Sequence, residues 1–230
     1  MPKSIEELVA QQVRKSELAR QEAESAGRPC TMPVITISRT MGSGARIIAQ
    51  KLAEELGWSL WDKELLDAMA NDAQVSRKVV EAFDERTISE IELLVRSILG
   101  AYDMAGFLYL KHLVRAVISI ASLGNAIILG RGANFILPGA LNVRIDASEH
   151  LRIENMMKYE AMSREDAEKR IKKSDKERHQ FLVKMFGRER VRNVHYDLTI
   201  WMDKFDNDGA VEIIKTALGA FCRVQTGGAG

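Results

Sequence analysis

The segment from Val34 to Gly57 constrains the fold of this chain more than any other. It opens with an apolar, β-branched run at 34–37, which is typical of a strand buried on both faces of a sheet. A loop with Gly42 and Gly44 follows, and apolar residues then recur at helical spacing until Gly57, where a helix would stop. This order of strand, glycine loop and helix can hold a phosphate group, because backbone N–H groups and the helix N-terminus both attract an anion.

The loop matches the P-loop pattern G-x-x-x-x-G-K-[ST] only in part. With Gly44 as the second glycine, Arg39 stands on the first glycine, Ala45 on the lysine and Arg46 on the serine or threonine. Arg39 and Arg46 can supply the missing positive charge, because a guanidinium binds phosphate well. An ordinary β-turn-α corner is the alternative that this segment leaves open.

Composition narrows the class of protein. A chain of 230 residues with 46% hydrophobic content can bury a core and form one domain with an insertion, or a domain and a half. Its 33 lysines and arginines nearly balance 32 aspartates and glutamates, so no bulk charge points to nucleic acid or an anionic membrane. Cys30 and Cys222 lie in no metal or redox spacing, and the N-terminus is too charged for a secretory signal. We therefore expect a reduced, cytoplasmic protein without disulfides.

Periodicity predicts five strands separated by helices. The strands fall at 34–37, 58–61, 126–129, 141–145 and 197–201, with helices at 3–27, 47–56, 63–70, 75–83, 88–99, 107–123 and 210–221. Residues 149–186 should form two helices that break near 162–163. Apolar strands alternating with helices favour an α/β fold with a parallel sheet. The helix at 3–27 is either a solvated leader or an arm that packs on the protein, and a partner subunit is one surface on which such an arm could pack.

The order of these segments resembles the cytidylate kinase-like family of the P-loop nucleoside monophosphate kinases, from about residue 34 to 218. The segments that carry the resemblance are ITISRTMGSGARIIAQKLAEELG, WDKELL, IILGRGANFIL, VRIDASEHLRIENMM, KKSDKERHQFLVKMFG and YDLTIWMDKFDNDGAVEII. The resemblance implies a P-loop NTPase fold with a five-stranded parallel sheet flanked by helices. It implies an N-terminal arm at 1–30, a kinase-like domain at 31–224 with a helical acceptor-side insertion at 75–124 and a lid at 163–192, and a flexible tail at 225–230.

The resemblance also implies a function, which is ATP-dependent phosphorylation of a nucleoside monophosphate of the CMP or dCMP type. Residues expected to bind ATP are Arg39, Gly42, Ser43, Gly44, Ala45, Arg46 and Lys176. Residues expected to bind the acceptor are Asp62, Lys63 and Arg131, and those expected to act in catalysis are Arg46, Arg131, Arg178 and Arg188. No side chain is expected to ligate metal, since Mg2+ would be held mainly through the phosphates. Nucleotides are the expected partners, and a homodimer is possible.

The loop resembles the family's version of the phosphate loop, in which an arginine-bearing GSG-x-R replaces GK[ST], but the chain departs from the classical cytidylate kinases in two places. The loop lysine is absent, and Gly132 stands where those enzymes carry an aspartate after Gly-Arg. Asp146 is the nearest substitute carboxylate, unless it only caps the following helix.

Alternative interpretations therefore stay open. Asp62 can be a helix cap, Arg131 a salt-bridge partner, and the lid cations a solvated helix face. For the whole chain, the alternatives are a nucleotide sensor without transferase activity, a kinase for another small acceptor, and an assembly module that uses residues 3–27.

Overall fold

The computed structural model describes residues 3–25, 33–99 and 107–225. The helices are α1 (Ile5–Ser25), α2 (Ala45–Leu56), α3 (Lys63–Asn71), α4 (Ala73–Val80), α5 (Glu85–Leu99), α6 (Phe107–Leu123), α7 (Ala133–Ile136), α8 (Glu149–Glu160), α9 (Arg164–Phe186), α10 (Arg188–Arg192) and α11 (Asn207–Gln225). The strands are β1 (Val34–Arg39), β2 (Ser59–Trp61), β3 (Ala126–Leu129), β4 (Leu141–Asp146) and β5 (Leu198–Trp201). Cys30 and most of the predicted tail lie outside the described residues.

The strands form one sheet in the order β2-β3-β1-β4-β5, and each neighbouring pair is parallel. This confirms the predicted five-stranded parallel sheet. In the register, Ile35 of β1 lies opposite Ile127 on one side and Leu141 on the other. Since β1 is central, the loop that follows it opens between the ends of β3 and β4.

The two faces of the sheet are covered differently. On one face, β1 and β4 pack Ile35, Ile37 and Val143 against α2 and α11 in a continuous apolar cluster. On the other face, the helices α1 and α3 to α6 cover β2 and β3. Toward β4 that second face becomes polar, where Thr36 Oγ1 donates a 2.5 Å hydrogen bond to Asn142 Oδ1. This polar pair lies in the middle of β1 and near the start of β4.

Helix α1 packs on its own chain, so the interpretation as a solvated leader is wrong. Val9 is fully buried in the larger core, and Gln12 Oε1 accepts a hydrogen bond of 2.8 Å from the backbone N–H of Leu60. Ser16 Oγ donates to Ser59 Oγ at 2.7 Å. The helix thereby covers β2, an edge strand whose backbone would otherwise be open to pairing.

Local signals set several helix boundaries as predicted. Ser163 Oγ accepts a hydrogen bond of 3.2 Å from Asp166 N, and this cap separates α8 from α9 where the break was expected. The described part of the insertion at 75–124 contains helices joined by short turns and no strand, with α6 at the predicted bounds. Across the three described ranges, no helix is both long enough and apolar enough to cross a membrane.

Candidate active site

Residues 40–44, which we call the phosphate loop, form a tight turn between β1 and α2. Gly42 and Gly44 both have φ at 81°, and α2 begins as the N–H groups of Ile47 and Ile48 bond to Gly44 O. A Cβ atom at position 42 would lie 2.5 Å from the carbonyl oxygen of Arg152, so only glycine fits there. The buried Ser43 closes the turn by donating to Thr40 O at 2.9 Å.

A carboxylate at the end of β4 fixes the start of the phosphate loop. Asp146 Oδ1 accepts a 2.7 Å hydrogen bond from Thr40 Oγ1, and Asp146 Oδ2 accepts one of 2.8 Å from Arg144 Nη2. Burial raises the pKa of Asp146, but the hydrogen bonds from Arg144 and Thr40 outweigh it and leave the pKa below its usual value. Ser148 caps α8 instead, through a bond from Leu151 N, so Asp146 is not the helix cap.

Three of the predicted arginines converge beside this loop. The guanidinium of Arg39 lies against Gly130, where any larger side chain would collide with it. Arg178 Nη1 donates a hydrogen bond of 2.8 Å to Arg39 O. Burial, together with the charges of Arg178 and Arg131, lowers the pKa of Arg39 to about 9, so Arg39 stays charged at neutral pH. Since like charges close together raise each other's energy, this cluster favours a bound anion.

Arg131 is fixed in place by a second group of side chains. Its Nε donates to Asp67 Oδ1 at 2.6 Å, and its Nη2 is paired with Asp67 Oδ2. Tyr109 OH donates to the same Oδ1 at 2.6 Å, and the guanidinium lies 4.6 Å from the ring centre of Phe181. The salt-bridge interpretation of Arg131 is therefore confirmed. Its expected role in binding the acceptor stays a prediction.

Arg46 lies on the opposite, exposed flank. Its side chain is 64% exposed, and Nη2 lies 3.3 Å from Asp62 Oδ2 and 3.9 Å from Glu64 Oε2. Asp62 also caps α3 by accepting hydrogen bonds from Glu64 N and Leu65 N through Oδ1, which confirms its predicted structural role. Arg46 and Asp62 both act on the pKa of Arg39, so they lie within electrostatic reach of the cluster.

The remaining predicted residues are distributed less tightly. Ala45 is buried at the start of α2, where it presents no charge. Lys63, Lys176 and Arg188 are exposed, at the start of α3, along α9 and at the start of α10. The structure therefore brings Arg39, Arg131 and Arg178 together and leaves these three cations facing solvent.

Sequence reasoning missed several residues that hold the site together. Asp67, Tyr109 and Phe181 surround Arg131 but come from three separate segments, and no local pattern links them. Arg152 and Asn155 of α8, which donate hydrogen bonds to the loop carbonyls of Met41 and Gly42, could have been found from the sequence. They stand three residues apart on one face of a helix that directly follows a predicted strand.

Fold and site together define a class, a parallel α/β protein with a glycine phosphate loop after its central strand and arginines gathered around it. The model of the cytidylate kinase-like family matches residues 34–204, and the chain belongs to that family.

Known relatives agree with this assignment. The chain is 26% identical over 187 residues to a cytidylate kinase of Pyrococcus horikoshii, which covers 80% of this chain and 88% of the relative. It is 25% identical to a cytidylate kinase of Pyrococcus furiosus with the same coverage. A crystal structure of an uncharacterised protein from Eubacterium ventriosum is similar in fold, with a TM-score of 0.53 and 23% identity over 81% of this chain and 98% of that one.

Proposed function

We propose that this protein transfers the γ-phosphoryl group of ATP to a nucleoside monophosphate of the CMP or dCMP type, giving the diphosphate. The observation that carries the proposal is the meeting of Arg39, Arg131 and Arg178 beside a glycine phosphate loop. Phosphoryl transfer requires two anionic substrates held in line while their charge is neutralised. A cluster of three arginines, in a fold related to cytidylate kinases, suits that requirement, and burial lowers the pKa of two of them, Arg39 and Arg178.

The donor binds at the phosphate loop in this proposal. Residues 42–45 present backbone N–H groups at the N-terminus of α2, a 12-residue helix whose partial positive charge adds to the attraction. Arg46 and Arg39 replace the charge of the missing lysine, and Lys176 approaches from α9.

The residues present fit Mg2+ bound chiefly by phosphate oxygens. Within the described residues, no group of three or more His, Cys, Asp or Glu side chains could hold an ion by itself. Asp62 at the end of β2 is already bonded to Arg46 through Oδ2 and to the start of α3 through Oδ1, so the proposal assigns no metal-ligating role to it. When bound, Mg2+ neutralises the charge that develops on the donor phosphates.

The acceptor binds on the Arg131 side. Arg131 holds the acceptor phosphate, with Asp62 and Lys63 at the margin of the same site. An oxygen of that phosphate attacks the γ-phosphorus, the bond from this phosphorus to the bridging oxygen breaks, and ADP leaves. Arg46, Arg131, Arg178 and Arg188 stabilise the transferring group, and residues 163–192 close as a lid that excludes water.

A nucleotide sensor without transferase activity is the second candidate. The buried Ala45 in the lysine position favours it, because no ammonium can follow the β- and γ-phosphates there.

Phosphoryl transfer from Mg-ATP to CMP, dCMP, UMP, AMP and GMP tests the proposal, with products resolved by ion-exchange chromatography. We expect a diphosphate from CMP or dCMP, and a loss of turnover of at least about 100-fold in Arg46→Ala and Arg131→Ala. Arg86→Ala is the matched control, because Arg86 is 86% exposed on α5 and pairs only along its own helix with Glu90 in the contacts described. ATP binding without product from any acceptor would favour the sensor.

A further inference from the structure

Arg152 of α8 lies buried between the phosphate loop and α9, with its side chain only 9% exposed. Its Nε donates a hydrogen bond of 2.7 Å to the carbonyl oxygen of Met41 in the loop. Its Nη2 donates to both carboxylate oxygens of Asp175 on α9, at 2.8 and 2.7 Å. One planar guanidinium therefore binds two elements that belong to different parts of the site.

The loop rests directly on α8 around this guanidinium. Gly42 touches the backbone of Arg152 so closely that no side chain fits between them, and Asn155 Nδ2 donates to Gly42 O at 2.8 Å. Below, Met41 packs on a small apolar cluster formed by Ile153, Met156, Ala167 and Ile171 of α8 and α9. A shift of α9 would therefore be transmitted to the loop through directly contacting side chains.

We propose that Arg152 is a positioning residue that couples the phosphate loop to closure of the lid. This inference rests on the proposed function, in which the loop binds the donor and α9 closes over it. The guanidinium is planar and rigid, so Nε and Nη2 can bond to Met41 O and to Asp175 at the same time only when the loop and α9 keep the relative position seen here. If α9 swings away, Arg152 keeps its burial but loses its carboxylate, which is costly for a charged group. The closed lid and the donor-binding shape of the loop therefore stabilise each other.

A double-mutant cycle tests this coupling. Arg152→Lys keeps the charge but loses the fork, and Asp175→Asn removes the charge of its partner. Each single variant should weaken binding of Mg2+ with a non-hydrolysable ATP analogue about tenfold, measured by calorimetry. The double variant should bind the analogue no more weakly than Arg152→Lys alone, because in this proposal Asp175 affects the loop through its ion pair with Arg152. Additive losses would overturn the proposal, as would two single variants that bind the analogue like the parent.

The matched control is an ion pair that lies entirely on α9 and does not contact α8 in the contacts described. Arg164 and Glu168 lie 3.2 Å apart with side chains 61% and 37% exposed, far more than Arg152. Arg164→Lys with Glu168→Gln should leave the affinity for the analogue unchanged. A tenfold loss in this control as well would overturn the proposal, because it would show that any change in the charge of α9 weakens donor binding.

Hydrogen exchange measures the coupling without any nucleotide. Asp175→Asn should speed exchange of the amides of Ile47 and Ile48 about tenfold, because both donate to the loop carbonyl of Gly44, while the core strand β3 keeps its protection. Unchanged exchange of these two amides would overturn the proposal even if Arg152→Lys did not fold. If the parent chain binds no adenine nucleotide, the proposed function fails by itself, and the exchange experiment still decides whether Arg152 couples loop and α9.

Discussion

The two flanks of the phosphate loop hold their arginines in different ways. Arg131 has a side chain that is 18% exposed and is paired through two nitrogens with Asp67, while a ring covers its face. Arg46 is 64% exposed and has one carboxylate at 3.3 Å and another at 3.9 Å. Arg131 is thus part of the packed structure, whereas Arg46 is held loosely on the surface.

This difference predicts that the two arginines contribute to different properties. Buried charge pairs cost a great deal when one partner is removed, while exposed pairs contribute little to folding. Changes around Arg131 should therefore lower both stability and activity, and changes at Arg46 should lower activity alone.

The largest effect on stability is expected from Asp67→Ala. The substitution leaves the Arg131 guanidinium in a mostly buried position without its carboxylate, so the free energy of unfolding in urea should fall by about 2–3 kcal/mol. Glu90→Ala removes the partner of the exposed Arg86 and is the control, with an expected change of less than about 0.5 kcal/mol. A loss in Asp67→Ala no larger than in the control would show that Arg131 is not part of the packed structure.

Asp146→Asn tests whether the Asp146 carboxylate, which bonds to Thr40 at the start of the loop, contributes to stability as the Arg131–Asp67 pair is expected to do. At pH 7 it should cost about 1.5–2 kcal/mol, since charge-assisted bonds from Arg144 and Thr40 are weakened. Because the pKa of Asp146 is lowered in the folded chain, its contribution is complete above its unfolded pKa of about 3.9 and is lost as pH falls through the folded value. Urea unfolding at several pH values should show the parent and the variant converging below about pH 4. A difference that stays constant with pH would contradict this.

Tyr109→Phe sharpens the comparison within the Arg131 flank. The hydroxyl of Tyr109 donates to Asp67, and burial followed by this bond raises the pKa of Tyr109, so it remains a donor at neutral pH. Its removal should lower the free energy of unfolding by about 1 kcal/mol, because Asp67 loses one bond and keeps Arg131. Tyr159→Phe on the exposed part of α8 is the control and should change nothing measurable. An equal loss in both variants would mean that the bond to Asp67 adds no stability.

Arg46→Lys should have the smallest effect on folding. The unfolding free energy should stay within about 0.5 kcal/mol of the parent, since the exposed pair with Asp62 is largely screened by water. Turnover with Mg-ATP should nevertheless fall about tenfold or more, because an ammonium cannot bind two phosphate oxygens as a guanidinium does. A variant that is clearly less stable would remove the distinction between the two flanks.

Much of the fold could be predicted because its signals are local. The apolar run at 34–37 indicates a buried strand, Gly44 and Gly57 bracket α2, and the Ser163 cap separates α8 from α9. Each of these features depends on residues a few positions apart, where side-chain spacing and hydrogen bonds to the near backbone decide the conformation. Arg39, Arg131 and Arg188 were visible for the same reason, since each stands next to a glycine or at a strand end. Arg178, by contrast, lies inside α9 and was indicated only by the resemblance of its segment to a lid.

The partners of those arginines could not be predicted. Asp67 lies 64 residues before Arg131, and Arg152 lies 111 residues after the carbonyl that it binds. Such pairs depend on the strand order, which places β1 between β3 and β4 and so brings the segments that follow these three strands together at their carboxyl ends.

The sequence by itself therefore determined the elements, their order and the position of the phosphate loop, because local propensity and periodicity act over short distances. Only the tertiary structure decided that Arg131 is locked to Asp67, that Arg46 stays exposed and that Arg152 joins the loop to α9. Burial and ion pairing between distant segments are set by packing, and no pattern along the chain specifies which charged groups will meet.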